Sequence, residues 1–247
     1  MSNNTKNFDL LVPINQRREL KKEANRYPSW QLMDRQICDL ELLLNGGFSP
    51  LKGFMNRVDY DSVMNNMRLK DGALWPIPIT LDVSDEFVDS IKNEEKITLR
   101  DQEGFALAVL TIDEIWKPEL EEEAKKIYNT IDTTHPAVNY LINIGHKNYI
   151  GGSLEGISFP HHYDYQLDRH TPEELRSIFF QNSWDKVVAF QTRNPLHKAH
   201  VEMTLRSLKD LNAKLLIHPV VGMTKPGDVD HYTRVRCYKH VLTKYPR

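Results

Sequence analysis

Cysteine is nearly absent from this sequence, with only Cys38 and Cys237, far apart, in 247 residues. Such scarcity excludes a disulfide framework and a cysteine-rich zinc site, and it suits a reducing compartment. Neither sign of charge is in excess. The formal net charge of −2 supplies no general basic field for nucleic acid or an anionic membrane, so any anion binding has to be local. No apolar run approaches bilayer-spanning length. The opening MSNNTKNFDL lacks the basic-then-apolar pattern of a secretory signal. Repeats and low-complexity tracts are missing as well. A cytoplasmic protein with no membrane and no nucleic-acid partner is expected. Its length allows one large core or two modest ones.

What is present divides near residue 168. Residues 16–25 are charged with little apolar periodicity and read as an exposed helix. Residues 40–44 are leucine-rich, and Asn45-Gly46-Gly47 then turns the chain. A short helix is expected over 59–67. An edge strand is expected over 76–83, where prolines stand near its start. Residues 96–100 and 105–110 flank Asp101-Gln102-Glu103-Gly104 as a hairpin, and 112–116 adds a further strand. Helices follow over 119–128 and 136–144, the second ended by Gly145, and then a glycine-broken strand over 149–157. This β-rich part precedes an aromatic, turn-like stretch. Its His161, His162 and Asp164 make a poor metal set, because adjacent histidines leave most backbones in different directions.

The second part alternates strand and helix. Thr171-Pro172-Glu173-Glu174 is a helix start, with a capping threonine, proline at the first position and glutamate three residues after the cap. Residues 186–190 form an apolar run of the kind buried on both faces of a parallel sheet. Val201, Leu205 and Leu208 then share a helical face, and 215–221 is a second apolar strand. This βαβ pattern puts QTRNPLHKAH, residues 191–200, at the carboxyl end of a strand, where open α/β sheets hold their ligands. Arg193 offers a fork of donors for a tetrahedral oxyanion, and Gln191, Thr192 and Asn194 add neutral hydrogen-bonding groups. Pro195 biases Asn194 towards extended backbone. His197 and His200 share a face of a helix whose first turn favours phosphate. A single arginine in a loop is ordinarily solvated, and one HxxH pair is more often helix surface than site. Here both occur in one loop after a strand. A zinc reading of the pair lacks a third nearby ligand and the glutamate of HExxH, so no protein-bound metal is expected. A second loop, 222–228, ends the second strand, and Thr224, Lys225, Arg234 and Arg236 are candidates to face a nucleotide.

QTRNPLHKAH resembles the QxRNPxHxxH signature of ATP sulfurylases (sulfate adenylyltransferases), within the HxxH/HxGH nucleotidyltransferase superfamily. LLIHPVVGMTKPGDVDHYTRVR (215–236), LNGGFSPLKGFM (44–55) and HPAVNYLINIGHKNYIGGSLEGI (135–157) resemble further blocks of that family. The resemblance implies an α/β architecture, with a β-rich PUA-like barrel domain over 1–168 and, over 169–247, the amino-terminal portion of a Rossmann-like catalytic domain. It implies that ATP and sulfate give adenosine 5′-phosphosulfate and pyrophosphate. In that scheme Gln191 and Arg193 hold sulfate, and Thr192, Arg193 and Asn194 orient the α-phosphate. His197 and His200 bind the ATP phosphates and the leaving group, and Mg²⁺ travels with ATP. The chemistry suits the residues: sulfate arrives deprotonated, so no general base is needed, and no serine or cysteine stands beside one.

Family members continue past this point with more of the sheet and a GRDHAG-like segment. The expectation is therefore a fragment, a homo-oligomer, or a further chain that completes the domain. Three alternatives carry their own discriminators. Another adenylyltransferase would lack the Arg193-Asn194-Pro195 triplet. A non-catalytic subunit would bind nucleotide without turnover. An RNA-binding PUA-like module would show salt-sensitive binding.

Overall fold

The computed structural model describes residues 9–221 and 227–245. The chain forms two compact units, Met1–Glu173 and Glu174–Arg247.

The first unit contains α1 (Ile14–Ala24), β1 (Ser29–Gln31), α2 (Asp34–Leu44), β2 (Gly53–Phe54), α3 (Arg57–Asn66), β3 (Leu81–Val83) and α4 (Asp85–Ser90). It continues with β4 (Lys96–Arg100), β5 (Ala106–Trp116), α5 (Leu120–Tyr128), α6 (Pro136–Asn139) and β6 (Asn148–Gly156). Its sheet runs β1-β4-β5-β6-β2, with β3 also on β6. The central β4, β5 and β6 are antiparallel. β1 lies parallel to β4 at one edge, and β2 and β3 follow one another along the far side of β6. Among the described residues these pairings do not return from β2 or β3 to β1, so the expected barrel is an open sheet. The physical reason lies in the edge strands, which are two or three residues long and leave too short a row of backbone groups to close a ring.

Burial explains the helices. In α2, Gln36, Leu40, Leu43 and Leu44 recur at helical spacing and are buried. They face a core that includes Leu81, Leu99, Leu110 and Ile150. Burial also corrects the expectation for α1. The helix is largely charged, yet Leu20 and Ala24 are buried with Ala106 and Val109 of β5. The two strands expected over 105–116 are one strand, β5, whose register shifts between Ile112 and Glu114; Asp113 is the extra residue of a bulge. The strand expected over 76–83 shrinks to β3. The helix expected over 136–144 is one turn of α6 followed by a π turn, Tyr140–Ile144. The glycines of β6 have a steric cause. A Cβ on Gly152 would stand 2.0 Å from the carbonyl oxygen of Thr111, a contact only glycine avoids.

The buried carboxylates of this unit have partners. Glu123 Oε2 accepts the hydroxyls of Tyr60 and Tyr149, each at 2.9 Å, and burial pushes its carboxyl up despite them. Asp82 accepts from Arg35 Nη2 at 2.5 Å, Gln36 Nε2 at 3.0 Å and the His146 amide at 2.8 Å. Asp39 shares the same guanidinium at 2.6 Å, and burial, with Asp82 nearby, raises its carboxyl to about 6. His162 bonds Glu41 at 2.8 Å while the His161 ring meets Tyr163, so the adjacent histidines do face different partners.

The second unit holds all but the first two residues of α7 (Pro172–Gln181), with β7 (Val187–Thr192), α8 (Lys198–Leu211), β8 (Lys214–Pro219) and α9 (His231–Leu242). β7 and β8 pair in parallel from Val187 opposite Lys214 to Thr192 opposite Pro219, with α8 as the crossover. Asn212, with φ 48°, ends α8 and returns its N–H to Leu208. β7 is half-buried, with Ala189 exposed. This corrects the expected burial on both faces, because a two-stranded ribbon covers little of either side.

Candidate functional site

The strand carries further than the sequence implied: Gln191 and Thr192 are its last residues, opposite His218 and Pro219. The loop proper is 193–197, and among the described residues its stretch 193–196 makes no hydrogen bond from backbone to backbone. Side chains hold it instead. Thr192 Oγ1 accepts the Asn194 amide at 3.0 Å and lies 3.2 Å from the Asn194 carbonyl, so this hydroxyl shapes the turn. Leu196 is buried and pins the loop from its far end. Gln191 is exposed at the strand's end.

Two further contacts come from α9. Arg234 Nη1 donates to the Arg193 carbonyl at 2.7 Å, and the Tyr238 hydroxyl donates to the Asn194 carbonyl at 2.8 Å. Burial raises the Tyr238 phenol, opposed by the Arg234 charge, so the group stays protonated and donates. The start of α9 is fixed by Asp230, whose carboxylate accepts the Thr233 amide at 2.9 Å.

Arg193 has its Nη2 3.5 Å from Asp228 Oδ2, while its Nε is buried and has no hydrogen-bond partner among the described residues. His197 occupies the N-cap of α8 in extended conformation. Its ring stacks on His200 with centroids 3.7 Å apart and 25° between planes, as the three-residue spacing predicts. His200 also packs against Phe190 at 5.5 Å, and its Nδ1 is buried without a partner among the described residues. The structure thus joins Thr192 to Asn194, His197 to His200, and Arg193 to Asp228. Cationic and imidazole donors without acceptors, at a strand end and a helix N-terminus, are what a polyanion requires. Among the described residues no group of three or more His, Cys, Asp or Glu could hold a metal ion, and no helix is long and apolar enough to cross a membrane.

Arg234 is not at the surface facing a nucleotide, as its charge suggested, but wholly buried beneath the loop. Arg236 is exposed, 3.2 Å from Thr233 Oγ1. Thr224 and Lys225 lie outside the described residues. The loop's dependence on Arg234 and Tyr238 was missed. The available signal was their four-residue spacing on a helix with a capped start.

Comparison with known proteins covers nearly the whole chain. Residues 3–159 match the model of a PUA-like domain, and 167–247 match that of ATP-sulfurylase. A sulfate adenylyltransferase of Saccharomyces cerevisiae is 53% identical over 217 residues, covering 88% of this chain and 42% of that protein. One from Kluyveromyces lactis is 53% identical over 218 residues, covering 88% of this chain and 43% of that protein. The chain spans about two fifths of the length of these curated relatives. A solved structure described as a hexameric APS kinase from Thiobacillus denitrificans superimposes with a TM-score of 0.77 at 34% identity, covering 96% of this chain and 43% of that one.

Proposed function

The chain belongs to the ATP-sulfurylase family, and from that premise we propose that residues 191–200 handle the anions of an adenylyl transfer from ATP to sulfate. A sulfate oxygen attacks the α-phosphorus, the bond from that phosphorus to the oxygen bridging to the β-phosphate breaks, and pyrophosphate leaves. The products are adenosine 5′-phosphosulfate and pyrophosphate. No proton moves in the attack, since sulfate is already a dianion. The task is to bring two anions together and to stabilise charge growing on the leaving group, which is done by positioning and fixed donors. Gln191 and Arg193 hold sulfate. Thr192, Arg193 and Asn194 orient the α-phosphate. His197 and His200, with the first turn of α8, take the remaining phosphates and the departing pyrophosphate. Mg²⁺ enters as part of MgATP, held by phosphate oxygens and water.

The observation that carries this reading is the buried Arg193 Nε, which has no acceptor among the described residues, in the loop that leads to the stacked histidines at a helix N-terminus. The wider assignments belong to the same proposal: a Rossmann-like nucleotidyltransferase domain from residue 169 onwards, a cytoplasmic site of action, and self-association. The free state of Cys38 and Cys237 supports the compartment, and the hexameric description of the structural neighbour supports self-association.

Pyrophosphate release from ATP, with and without sulfate, tests the reading. Sulfate-dependent release that disappears in Arg193→Ala is the expected result. The half-exposed strands of the second unit favour a second reading, nucleotide binding without turnover. Binding of MgATP with no release would select it, and absence of both would overturn the proposal.

A further inference from the structure

We propose that Arg234 and Tyr238 are positioning residues, which from beneath the loop hold the main chain of Arg193 and Asn194 and so fix where the Arg193 fork stands against its anion. The catalytic consequence rests on the adenylyl-transfer reading; the anchoring does not.

The loop has a particular weakness. Pro195 has no N–H, and among the described residues 193–196 make no backbone-to-backbone hydrogen bonds. Two successive carbonyls, of Arg193 and Asn194, are instead taken by Arg234 Nη1 at 2.7 Å and the Tyr238 hydroxyl at 2.8 Å. These side chains are four residues apart and share one face of α9. Both are buried, Arg234 completely. The choice of residues is costly for packing alone. Arg234 Nε and Nη2 are buried without partners among the described residues, and a guanidinium bonded through only one of its nitrogens is a costly group to bury. An apolar side chain would fill the space without that penalty. What arginine adds is a donor to the loop and a positive charge beneath a site that would receive polyanions, where low dielectric strengthens it. Phenylalanine would likewise fill the place of Tyr238, so the hydroxyl serves the Asn194 carbonyl.

The test uses the full chain with Tyr238→Phe, Arg234→Gln and Arg234→Lys. Amide hydrogen exchange is followed over 191–200 and, for comparison, over α8 and the first unit, together with pyrophosphate release. In Tyr238→Phe, loop exchange should rise and kcat should fall, each about fivefold, with KM for MgATP within about twofold. Arg234→Gln should lower kcat by about a hundredfold, and Arg234→Lys should recover part of it, since a donor and the positive charge both remain. Unchanged loop exchange in Tyr238→Phe and Arg234→Gln would overturn the proposal. So would losses that follow thermal stability across the whole chain with no local change in the loop. Should Arg234→Gln fail to fold, Tyr238→Phe still decides. If the wild-type chain releases no pyrophosphate, the adenylyl-transfer reading falls alone, and exchange still settles the anchoring.

Discussion

The two units treat buried polar groups in opposite ways. In the first, Asp82, Gln36 and Glu123 are buried and each has hydrogen-bonding partners. What is left over among the described residues is one edge of Arg35 and the indole nitrogens of Trp75 and Trp116. In the second, the leftovers among the described residues are charged or titratable groups at one loop and the helix beneath it: Arg193 Nε, His200 Nδ1, and Arg234 Nε and Nη2, with Asp228 Oδ2 holding only its ion pair to Arg193. Natural folds pair nearly all buried polar atoms. A unit that leaves several unpaired in one place is poorly optimised for stability there and well prepared for a ligand that completes the bonds. The first unit directs its polar chemistry to holding itself together, and the second keeps its own for something else.

That contrast breaks most easily at Arg193. Arg193→Ala should lower kcat/KM at least about a hundredfold, the scale for removing one preorganised donor, while unfolding in urea is unchanged. A folded, active variant would show that the unpaired groups are incidental. Glu123→Ala probes the opposite side. It leaves the Tyr60 and Tyr149 hydroxyls without their acceptor and should cost about 2–3 kcal/mol, read as an earlier urea midpoint, with MgATP binding retained. A midpoint equal to wild type would show that the first unit does not depend on its polar network. The smallest effect is at Asp39. Its folded carboxyl is raised to about 6, so the fold holds this proton more tightly than the unfolded chain does. The stability it contributes is complete below the usual carboxylate range and is lost as pH climbs through about 6. Melting temperatures of wild type and Asp39→Asn, followed across that window, should diverge with wild type falling faster. Parallel curves would show that burial does not raise the Asp39 carboxyl in the fold.

Much of the second unit was legible because its signals are local. The apolar run before Gln191, the spacing of Val201, Leu205 and Leu208, and the proline delaying the helix fixed strand, loop and helix in order, and the three-residue step put His197 on His200. The failures have physical causes. β5 read as two strands because the bulge at Asp113 resets the alternation. Residues 140–144 kept a helical pattern although the backbone winds into a π turn. α1 looked exposed because only two of its residues, Leu20 and Ala24, are buried. Closure of the first sheet is expected from resemblance alone, and edge strands of two or three residues are too short to show as strands in the sequence. Arg234 was misread because charge is ordinarily a surface property. Its place depends on which carbonyls lack donors, and that is decided by residues forty positions away.

The stacked rings of His197 and His200 have a consequence outside chemistry. Two aromatic rings 3.7 Å apart and nearly parallel lie in each other's ring currents, so their carbon-bound protons resonate upfield of those of isolated histidines. The pair is a built-in magnetic probe. An anion that draws either imidazole away from the stack moves those lines downfield, and a titration followed by proton NMR reads occupancy of the loop without a label and without turnover.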